Sequence, residues 1–225
     1  MRTLVVGDIH GCSIALDTLF ALVAPLPQDR LITLGDYVDR GPDSRGVLDR
    51  LIVRYDAGHL IPVRGNHDQM MVQARDRYDR TMWIACGGRQ TLESYGHAHG
   101  DSEYDLIPDQ HWRFLEEDCL NWYETETHLF VHGSIYPELL MEEQPLFMLL
   151  WEKLEGPVQH YSGKVMICGH TRQQSGLPLD LGSAICIDTG VYDSDGWLTC
   201  LHVESGKYWQ ANQRGETRWN YLEGS

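Results

Sequence analysis

The chain is poor in basic residues, and this scarcity limits the partners it can have. Its 225 residues include 18 Lys and Arg against 33 Asp and Glu, which gives a formal net charge of −15 at pH 7. Tight sequence-independent binding of nucleic acid depends on Lys and Arg that neutralise phosphates, so we expect no nucleic acid duplex as partner. Part of the acidity is available to hold cations.

Regular cysteine spacing and long apolar runs are also missing. The six cysteines form no CxxC pair and no disulfide framework, which excludes a zinc ribbon and a disulfide scaffold and favours reduced thiols. The chain has no apolar run approaching about 18 residues and does not begin with the pattern of a secretion signal. We therefore expect a cytoplasmic protein that does not bind membranes.

Strand-like and helix-like segments alternate in the first third of the sequence. The apolar runs TLVV, RLITL and HLIPV are separated by segments with helical spacing, and a third helix is predicted from about Gln69. The runs THLFV, KVMIC, SAICI and GWLTCLHV make the second half strand-rich. The pattern predicts a single α/β domain over residues 1–225, in which two packed mixed β-sheets, a β-sandwich, are flanked by helices.

A polar motif with an adjacent glycine follows five of the strand-like runs. The motifs are GDIHG with Asp8 and His10, GDYVDRG with Asp36, Asp39 and Arg40, RGNHD with Arg64, Asn66, His67 and Asp68, VHG with His132, and CGH with His170. One Asp or Asn after a strand is usually a turn former or a helix cap. Turn chemistry does not explain recurring histidines, and ligands of open α/β sheets bind beyond the carboxyl ends of the strands. We therefore expect these side chains to converge.

The residue types in these motifs indicate metal chemistry. Carboxylate, amide and imidazole ligands without thiolate suit manganese, iron, nickel or zinc, and about six such groups exceed what one ion needs. Two ions bridged by a carboxylate at about 3.5–4 Å generate hydroxide from bound water and stabilise an in-line displacement at phosphorus. The sequence therefore favours hydrolysis of a phosphate ester.

In order and spacing, these motifs resemble those of the phosphoprotein phosphatase family of metallophosphoesterases, in particular its small bacterial and phage lambda phosphatase-like members. The resemblance runs from Gly7 to about Gly190, where IDTG is similar to the last shared segment. CGGRQTLESYG, residues 86–96, is similar to a segment of the bacterial and phage branch, which includes the symmetrical diadenosine tetraphosphate hydrolases. The resemblance implies a calcineurin-like metallophosphoesterase fold.

The resemblance also implies a role for each motif residue. One metal ion would be held by Asp8, His10 and Asp36, and a second by Asp36 as the bridge together with Asn66, His132 and His170. His67 would be the general acid that protonates the leaving oxygen, and Asp39 would orient it. Arg40 and Arg64 would bind the phosphoryl oxygens.

Two positions depart from the family pattern. Asp68 stands where Glu is usual, and no arginine lies between His132 and His170, where the family often has a further phosphate-binding arginine. The nearest cations are Lys153 and Lys164, and for Lys153 both a phosphate contact and a plain surface position stay open. Among the remaining candidates, Tyr192 is interpreted as a turn residue, with a substrate contact left open, and the other histidines, including His97 and His99, are interpreted as solvated.

These observations favour one function among several. The leading hypothesis is a metal-dependent phosphomonoesterase that hydrolyses phosphoserine or phosphothreonine in proteins by direct attack of water, with two divalent ions, Mn²⁺ first, as cofactors. The first alternative is a diadenosine tetraphosphate hydrolase with the same metal centre. Phosphotyrosine, RNA ends and phosphorylated small molecules stay open as substrates. A binding protein on a degenerate phosphatase fold would have lost ligands, and none of the six is missing.

Overall fold

Two β-sheets pack face to face in the computed structural model, which describes residues 1–76, 80–96 and 105–222. Among these residues the chain forms eleven strands: β1 (Thr3–Val6), β2 (Arg30–Thr33), β3 (Ile61–Pro62), β4 (Trp122–Glu124), β5 (His128–Val131), β6 (Val165–Cys168), β7 (Leu179–Asp180), β8 (Ala184–Cys186), β9 (Leu198–His202), β10 (Lys207–Ala211) and β11 (Thr217–Tyr221). The first sheet has the order β11-β10-β9-β1-β2-β3, and the second β4-β5-β6-β8-β7. Both sheets mix parallel and antiparallel pairs.

Helices connect the strands and cover the outer faces of the sheets. In the described residues they are α1 (Ser13–Val23), α2 (Ser44–Asp56), α3 (Asn66–Asp76), α4 (Thr81–Trp83), α5 (Arg89–Ser94), α6 (Asp109–Arg113) and α7 (Leu146–Trp151). A segment kinked at Gly87, whose backbone is not helical, joins α4 to α5 at Ile84–Gly88. A π-helical turn continues α6 at Phe114–Asp118. Among these helices, none combines the length and the apolar character that a membrane crossing requires.

Alternation along the strands explains the layered core. Successive strand residues point to opposite faces of a sheet. Val5 of β1 and Phe130 of β5 therefore belong to the apolar cluster between the sheets, whereas Leu4 and Val6 pack under the helices on the outer face of the first sheet. Leu129 of β5 packs on the outer face of the second sheet. The central strands β1, β5 and β6 are buried on both faces, and their sequences are therefore continuous apolar runs.

The two-sheet architecture and the flanking helices confirm the predicted fold class. The boundary predicted for the third helix was wrong, because α3 begins at Asn66 and not near Gln69. The helix therefore includes three residues of the RGNHD motif, Asn66, His67 and Asp68, that were assigned to a loop. The six cysteines are free thiols, as expected. The single domain over residues 1–225 stays a prediction.

Candidate active site

The carboxyl ends of the strands from both sheets meet at one edge of the sandwich. β1, β2 and β3 run parallel in the first sheet, and β5, β6 and β8 run parallel in the second. The motif residues that follow these strands are buried or half-buried there, except for Arg40, which is exposed. The structure therefore brings together side chains that lie up to 162 residues apart in sequence, such as Asp8 and His170.

One group of side chains surrounds Asn66, at the start of α3. The amide Oδ1 of Asn66 lies 2.9 Å from His132 Nε2 and 3.1 Å from His170 Nδ1, and His132 Nε2 lies 3.3 Å from Asp36 Oδ1. The other ring nitrogens donate to backbone carbonyls, His132 Nδ1 to Leu34 and His170 Nε2 to Trp151. A carbonyl can only accept, so each imidazole proton lies on that side and each lone pair faces the site.

A second group surrounds His10. His10 Nδ1 donates to the carbonyl of Val38 at 2.9 Å, and Nε2 accepts from Arg40 Nη1 at 2.8 Å and lies 3.3 Å from Asp36 Oδ2. The ligand atoms of His10, Asp36 and His67 lie within 4.8 Å of one another, as do those of Asp36, His132 and His170. Asp36 belongs to both groups, which is the position of a bridging ligand.

The residues fit a divalent metal pair. Acceptor atoms without protons converge from Asp36, Asn66 and the two imidazoles, and a cation stabilises such an arrangement. The backbone also makes room for the carboxylates, because a Cβ at Gly65 would lie 2.1 Å from Asp36 Oδ1, and one at Gly169 would lie 2.1 Å from Asp8 Oδ1. Asp8 is buried and accepts from the backbone N–H of His170, next to the compact groups.

The protonation states of these histidines and of Asp36 also favour metal binding. Burial, together with the neighbouring His132, lowers the pKa of His170 to about 4, and burial lowers the pKa of His10 and of His132. Neutral imidazoles are the form that binds metals. For Asp36, burial raises the pKa, but the surrounding histidines outweigh it and leave the pKa below its usual value.

His67 and Asp39 form a buried pair beside these groups. His67 Nδ1 donates to Asp39 Oδ2 at 2.7 Å, so Nε2 points toward Asp36, whose Oδ2 is 4.0 Å away. Burial lowers the pKa of His67, but the charges of Asp36 and Asp39 outweigh this effect and raise it above its usual value. Burial raises the pKa of Asp39, against the hydrogen bonds that it accepts. A protonated imidazole held by a carboxylate is suited to donate a proton.

A cavity of about 330 Å³ opens over the site. Its lining residues are Asp36, Arg40, Lys153, His170, Thr171, Arg172, Gln174, Asp188 and Tyr192. The guanidinium of Arg40 stacks on the Tyr192 ring at 4.6 Å, and Arg172 forms an ion pair with Asp193. Lys164, the other candidate cation, instead pairs with Glu124 at 2.6 Å and does not line the cavity.

Arg64 lies elsewhere than the resemblance implied. Its Nε donates to the carbonyl of Leu115 at 2.9 Å, and its Nη2 to that of Glu116 at 2.6 Å and of Cys119 at 3.3 Å. Among the described residues that line the cavity, Arg64 is absent. In this structure Arg64 binds the end of the π-helical turn after α6, and its phosphate contact stays a prediction.

Asp68, which stands where the family usually has Glu, holds two of the motif loops together. It is fully buried and accepts from the backbone N–H of Tyr37 at 2.9 Å and of Gly65 at 2.8 Å. Its short side chain therefore links the loop after β2, which contains Asp36 and Tyr37, to the loop after β3, which contains Gly65.

Sequence reasoning missed or misjudged several residues. Tyr192 lies in a turn, as interpreted, but its ring also lines the cavity. Arg172 lies two residues after His170 of the CGH motif, and Asp188 lies in the IDTG segment, so both could have been found in the sequence. His111 and His160 were wrongly expected to be solvated, because both are buried and hydrogen-bonded. His97 and His99 lie outside the described residues.

Comparisons with known proteins point in one direction. Residues 1–174 match the family described as calcineurin-like phosphoesterase. The chain is 35% identical over 211 residues to serine/threonine-protein phosphatase 1 of Salmonella typhimurium, covering 89% of this chain and 91% of the relative. It is 46% identical over 70 residues to the symmetrical bis(5'-nucleosyl)-tetraphosphatase of an Acidovorax species, covering 31% of this chain and 24% of the relative. The fold is similar to that of the cold-active protein-tyrosine phosphatase of a Shewanella species, with a TM-score of 0.66 at 16% identity, over 97% of this chain and 80% of that one.

Proposed function

The chain belongs to the calcineurin-like phosphoesterase family, within the bacterial branch of the phosphoprotein phosphatases, and we propose that it hydrolyses phosphoserine and phosphothreonine in proteins. The family is one of hydrolases with a dinuclear divalent metal centre. The relative that matches most of this chain is named a serine/threonine-protein phosphatase, and this supports the choice of substrate.

The donor set assigns the metal ligands in this proposal. Asp8, His10 and Asp36 hold the first ion, and Asp36, Asn66, His132 and His170 hold the second. When bound, the ions, which we propose to be Mn²⁺, activate water and neutralise charge on the phosphoryl oxygens. The observation that carries the assignment is the convergence of proton-free acceptor atoms from both sheets on Asp36.

The other polar side chains act on the substrate. His67 donates a proton to the leaving seryl or threonyl oxygen from Nε2, while Asp39 holds the proton on Nδ1 and thereby the orientation of the ring. Arg40, which lines the cavity, binds phosphoryl oxygens with its forked donors. Lys153 lines the same cavity, and we propose that it supplies a point charge where the family often has an arginine.

A second candidate function has its own support. A dinucleoside polyphosphate needs cations beyond those that hold one phosphoryl group, and Lys153 and Arg172 add two to the cavity. Tyr192 adds an aromatic ring to the cavity lining. Bis(5'-nucleosyl)-tetraphosphatases of an Acidovorax and a Janthinobacterium species match 31% and 61% of the chain. The serine/threonine-protein phosphatase 1 relative matches 89%, so the dinucleotide is the alternative substrate and not the first choice.

The decisive experiment compares the two substrates. Manganese-loaded protein is assayed on a phosphoserine peptide and on diadenosine tetraphosphate, each with and without a chelator. Chelator-sensitive phosphate release with a higher kcat/KM for the peptide supports the proposal. A higher kcat/KM for the dinucleotide would replace it with the alternative.

The His67→Asn variant tests the role of the general acid. Asparagine keeps a polar side chain of similar reach to Nδ1 but cannot supply a proton. We expect kcat on the phosphoserine peptide to fall by roughly 10²-fold or more while the metal content stays unchanged. Turnover close to that of the wild type would refute the assignment of His67.

A further inference from the structure

The segment from Trp83 to Ser94 closes over Asp39, although it contributes none of the proposed metal ligands. The hydroxyl of Thr91, in α5, donates to Asp39 Oδ1 at 2.7 Å, and the indole N–H of Trp83 lies 3.0 Å from Oδ1 and 3.1 Å from Oδ2. With His67 on Oδ2, the carboxylate of Asp39 therefore receives three side-chain donors. Asp39 itself is fully buried.

The hydroxyl protons around Thr91 have only one consistent arrangement. A carboxylate accepts only, so the Thr91 proton points to Asp39. The Thr91 oxygen then accepts from the backbone N–H of Asp39 at 2.8 Å and from the hydroxyl of Ser44 at 3.0 Å. Thr91 thus binds both the backbone and the side chain of Asp39, and Ser44 fixes the direction of the Thr91 hydroxyl.

Two glycines allow the segment to approach this closely. A Cβ at Gly88 would lie 2.5 Å from two carbons of the Trp83 indole, so the ring packs directly on the Gly88 backbone. A Cβ at Gly87, whose φ is +118°, would lie 2.7 Å from the backbone nitrogen of Arg40. That nitrogen donates to the Gly87 carbonyl at 3.3 Å. The CGGRQT part of the sequence is therefore shaped to pack against the Asp39–Arg40 corner.

From these contacts we infer that Thr91 and Trp83 are positioning residues for proton donation by His67. They prevent rotation of the Asp39 carboxylate, so that Oδ2 stays on His67 Nδ1 and Nε2 keeps its direction toward the substrate. The inference rests on the proposed function, because it assigns the segment a part in leaving-group protonation.

The test uses Thr91→Val, which removes the hydroxyl but keeps the shape of the side chain, and Thr91→Ser, which keeps the hydroxyl. Ser94→Ala is the matched control, because it removes a hydroxyl from the same helix that bonds to the Thr91 carbonyl and not to Asp39. On the phosphoserine peptide, Thr91→Val should lower kcat by roughly 10-fold, which is the effect expected from the loss of one hydrogen bond. KM should change little. On p-nitrophenyl phosphate, whose leaving group needs no proton, the loss should be smaller. Thr91→Ser should restore the turnover of the wild type.

A second arm separates positioning from plain structural support. In the His67→Asn background, Thr91→Val should lower the remaining kcat on the peptide by less than about 2-fold, because the residue acts through His67. An equal loss of kcat in both backgrounds, or on both substrates, overturns the inference. If Thr91→Val does not fold, Trp83→Phe, which keeps the aromatic ring and removes the N–H, takes its place in every arm.

An NMR measurement tests the positioning role of Thr91 without relying on turnover, and therefore independently of the proposed function. In protein loaded with diamagnetic Zn²⁺, the proton on His67 Nδ1 is identified by NMR through its loss in His67→Asn. Thr91→Val should shift this resonance and speed its exchange with water, whereas Thr91→Ser and Ser94→Ala should not. An unchanged resonance overturns the inference. Absence of chelator-sensitive turnover by the wild type would refute the proposed function and leave this readout valid.

Discussion

At the scale of single residues, the site is held in backbone conformations that side chains rarely adopt. Five of its non-glycine residues have positive φ: His10, Asp36, Asp39, Arg40 and His170, with φ between 44° and 71°. Such a conformation costs on the order of 1 kcal/mol or more for each residue and persists only where surrounding contacts impose it. The contacts include backbone bonds from His10 to the carbonyl of Asp36 at 2.7 Å. The strain lies where the motif side chains turn toward one another.

The Gly65→Ala variant tests how tightly the backbone surrounds the carboxylate of Asp36, the proposed bridging ligand. The new Cβ would lie 2.1 Å from Asp36 Oδ1 and 2.2 Å from the Asp36 nitrogen, so Asp36 must move. We expect metal content measured by mass spectrometry to fall to less than half of the wild-type value. Gly156→Ala is the control, because its Cβ meets nothing within 4 Å and its metal content should not change. Full metal loading of Gly65→Ala would show that Asp36 is not the shared ligand.

At the scale of secondary structure elements, Arg64 joins the end of β3 to the turn that follows α6. Its guanidinium donates to carbonyls at the C-terminal end of that helical stretch, where unsatisfied carbonyls and the helix dipole favour a cation. The RGNHD motif therefore has a supporting side chain as well as its proposed ligand and acid. This explains why an arginine at a predicted phosphate site does not line the cavity.

Replacement of Arg64 by Met separates these two roles. Loss of hydrogen bonds from a charged donor to the carbonyls should lower the free energy of unfolding by about 2 kcal/mol, measured by urea denaturation. KM for the phosphoserine peptide should change less than 3-fold if the guanidinium stays on the helix end in the complex. A KM that rises 10-fold or more, with unchanged stability, would instead support the phosphate contact.

The connection between β1 and β2 gives a stability that depends on pH. Asp29, before β2, accepts from Arg2 Nη2 at 2.5 Å and from the backbone of Arg2 and Leu26. The Arg2 bond is the main cause that lowers the pKa of Asp29 to about 2, from 3.8. Because the pKa is lower in the folded chain, this contribution is fully present above pH 3.8 and is lost as the pH falls to about 2.

Asp29→Asn checks this contribution. Above about pH 4.5 the variant should be less stable than the wild type by about 2 kcal/mol, and the difference should shrink as the pH approaches 2. Urea denaturation at a series of pH values measures both. A difference that is independent of pH would show that the loss comes from packing and not from the charge of Asp29.

At the scale of the whole molecule, the site joins the two sheets. Asp8, Asp36 and Asn66 follow strands of the first sheet, whereas His132 and His170 follow strands of the second. Burial together with the charges of Asp188 and Asp36 raises the pKa of Asp8, which shows how closely the carboxylates are packed. A bound cation would relieve this repulsion and link the sheets, so metal loading should stabilise the entire fold.

Thermal unfolding with and without metal tests this link. At a free Mn²⁺ concentration 100 times the dissociation constant, binding to the folded state alone contributes about 2.7 kcal/mol, and Tm should rise by several degrees. A chelator should reverse the shift, and His132→Ala should remove most of it. An identical shift in His132→Ala would place the stabilising ion outside the proposed site.

The sequence by itself determined the fold class and the set of candidate ligands. Alternating strand-like and helix-like segments follow local propensity and burial, and polar motifs after five strands mark the carboxyl edge of the sheets. The start of α3 was misplaced because Asn66 and His67 read as loop residues, although both lie in the first turn of the helix. The candidate ligands could be predicted from the sequence because only a few residue types bind divalent metal ions.

Only the tertiary structure decided which atoms meet. Arg40 and Arg64 are equivalent in sequence as arginines beside motifs, but one reaches the cavity and the other a helix end. The contact of Thr91 with Asp39 spans 52 positions along the chain, and no local periodicity encodes it. Propensities act over a few residues, whereas side-chain direction depends on packing between distant segments and on the positive φ values that this packing imposes.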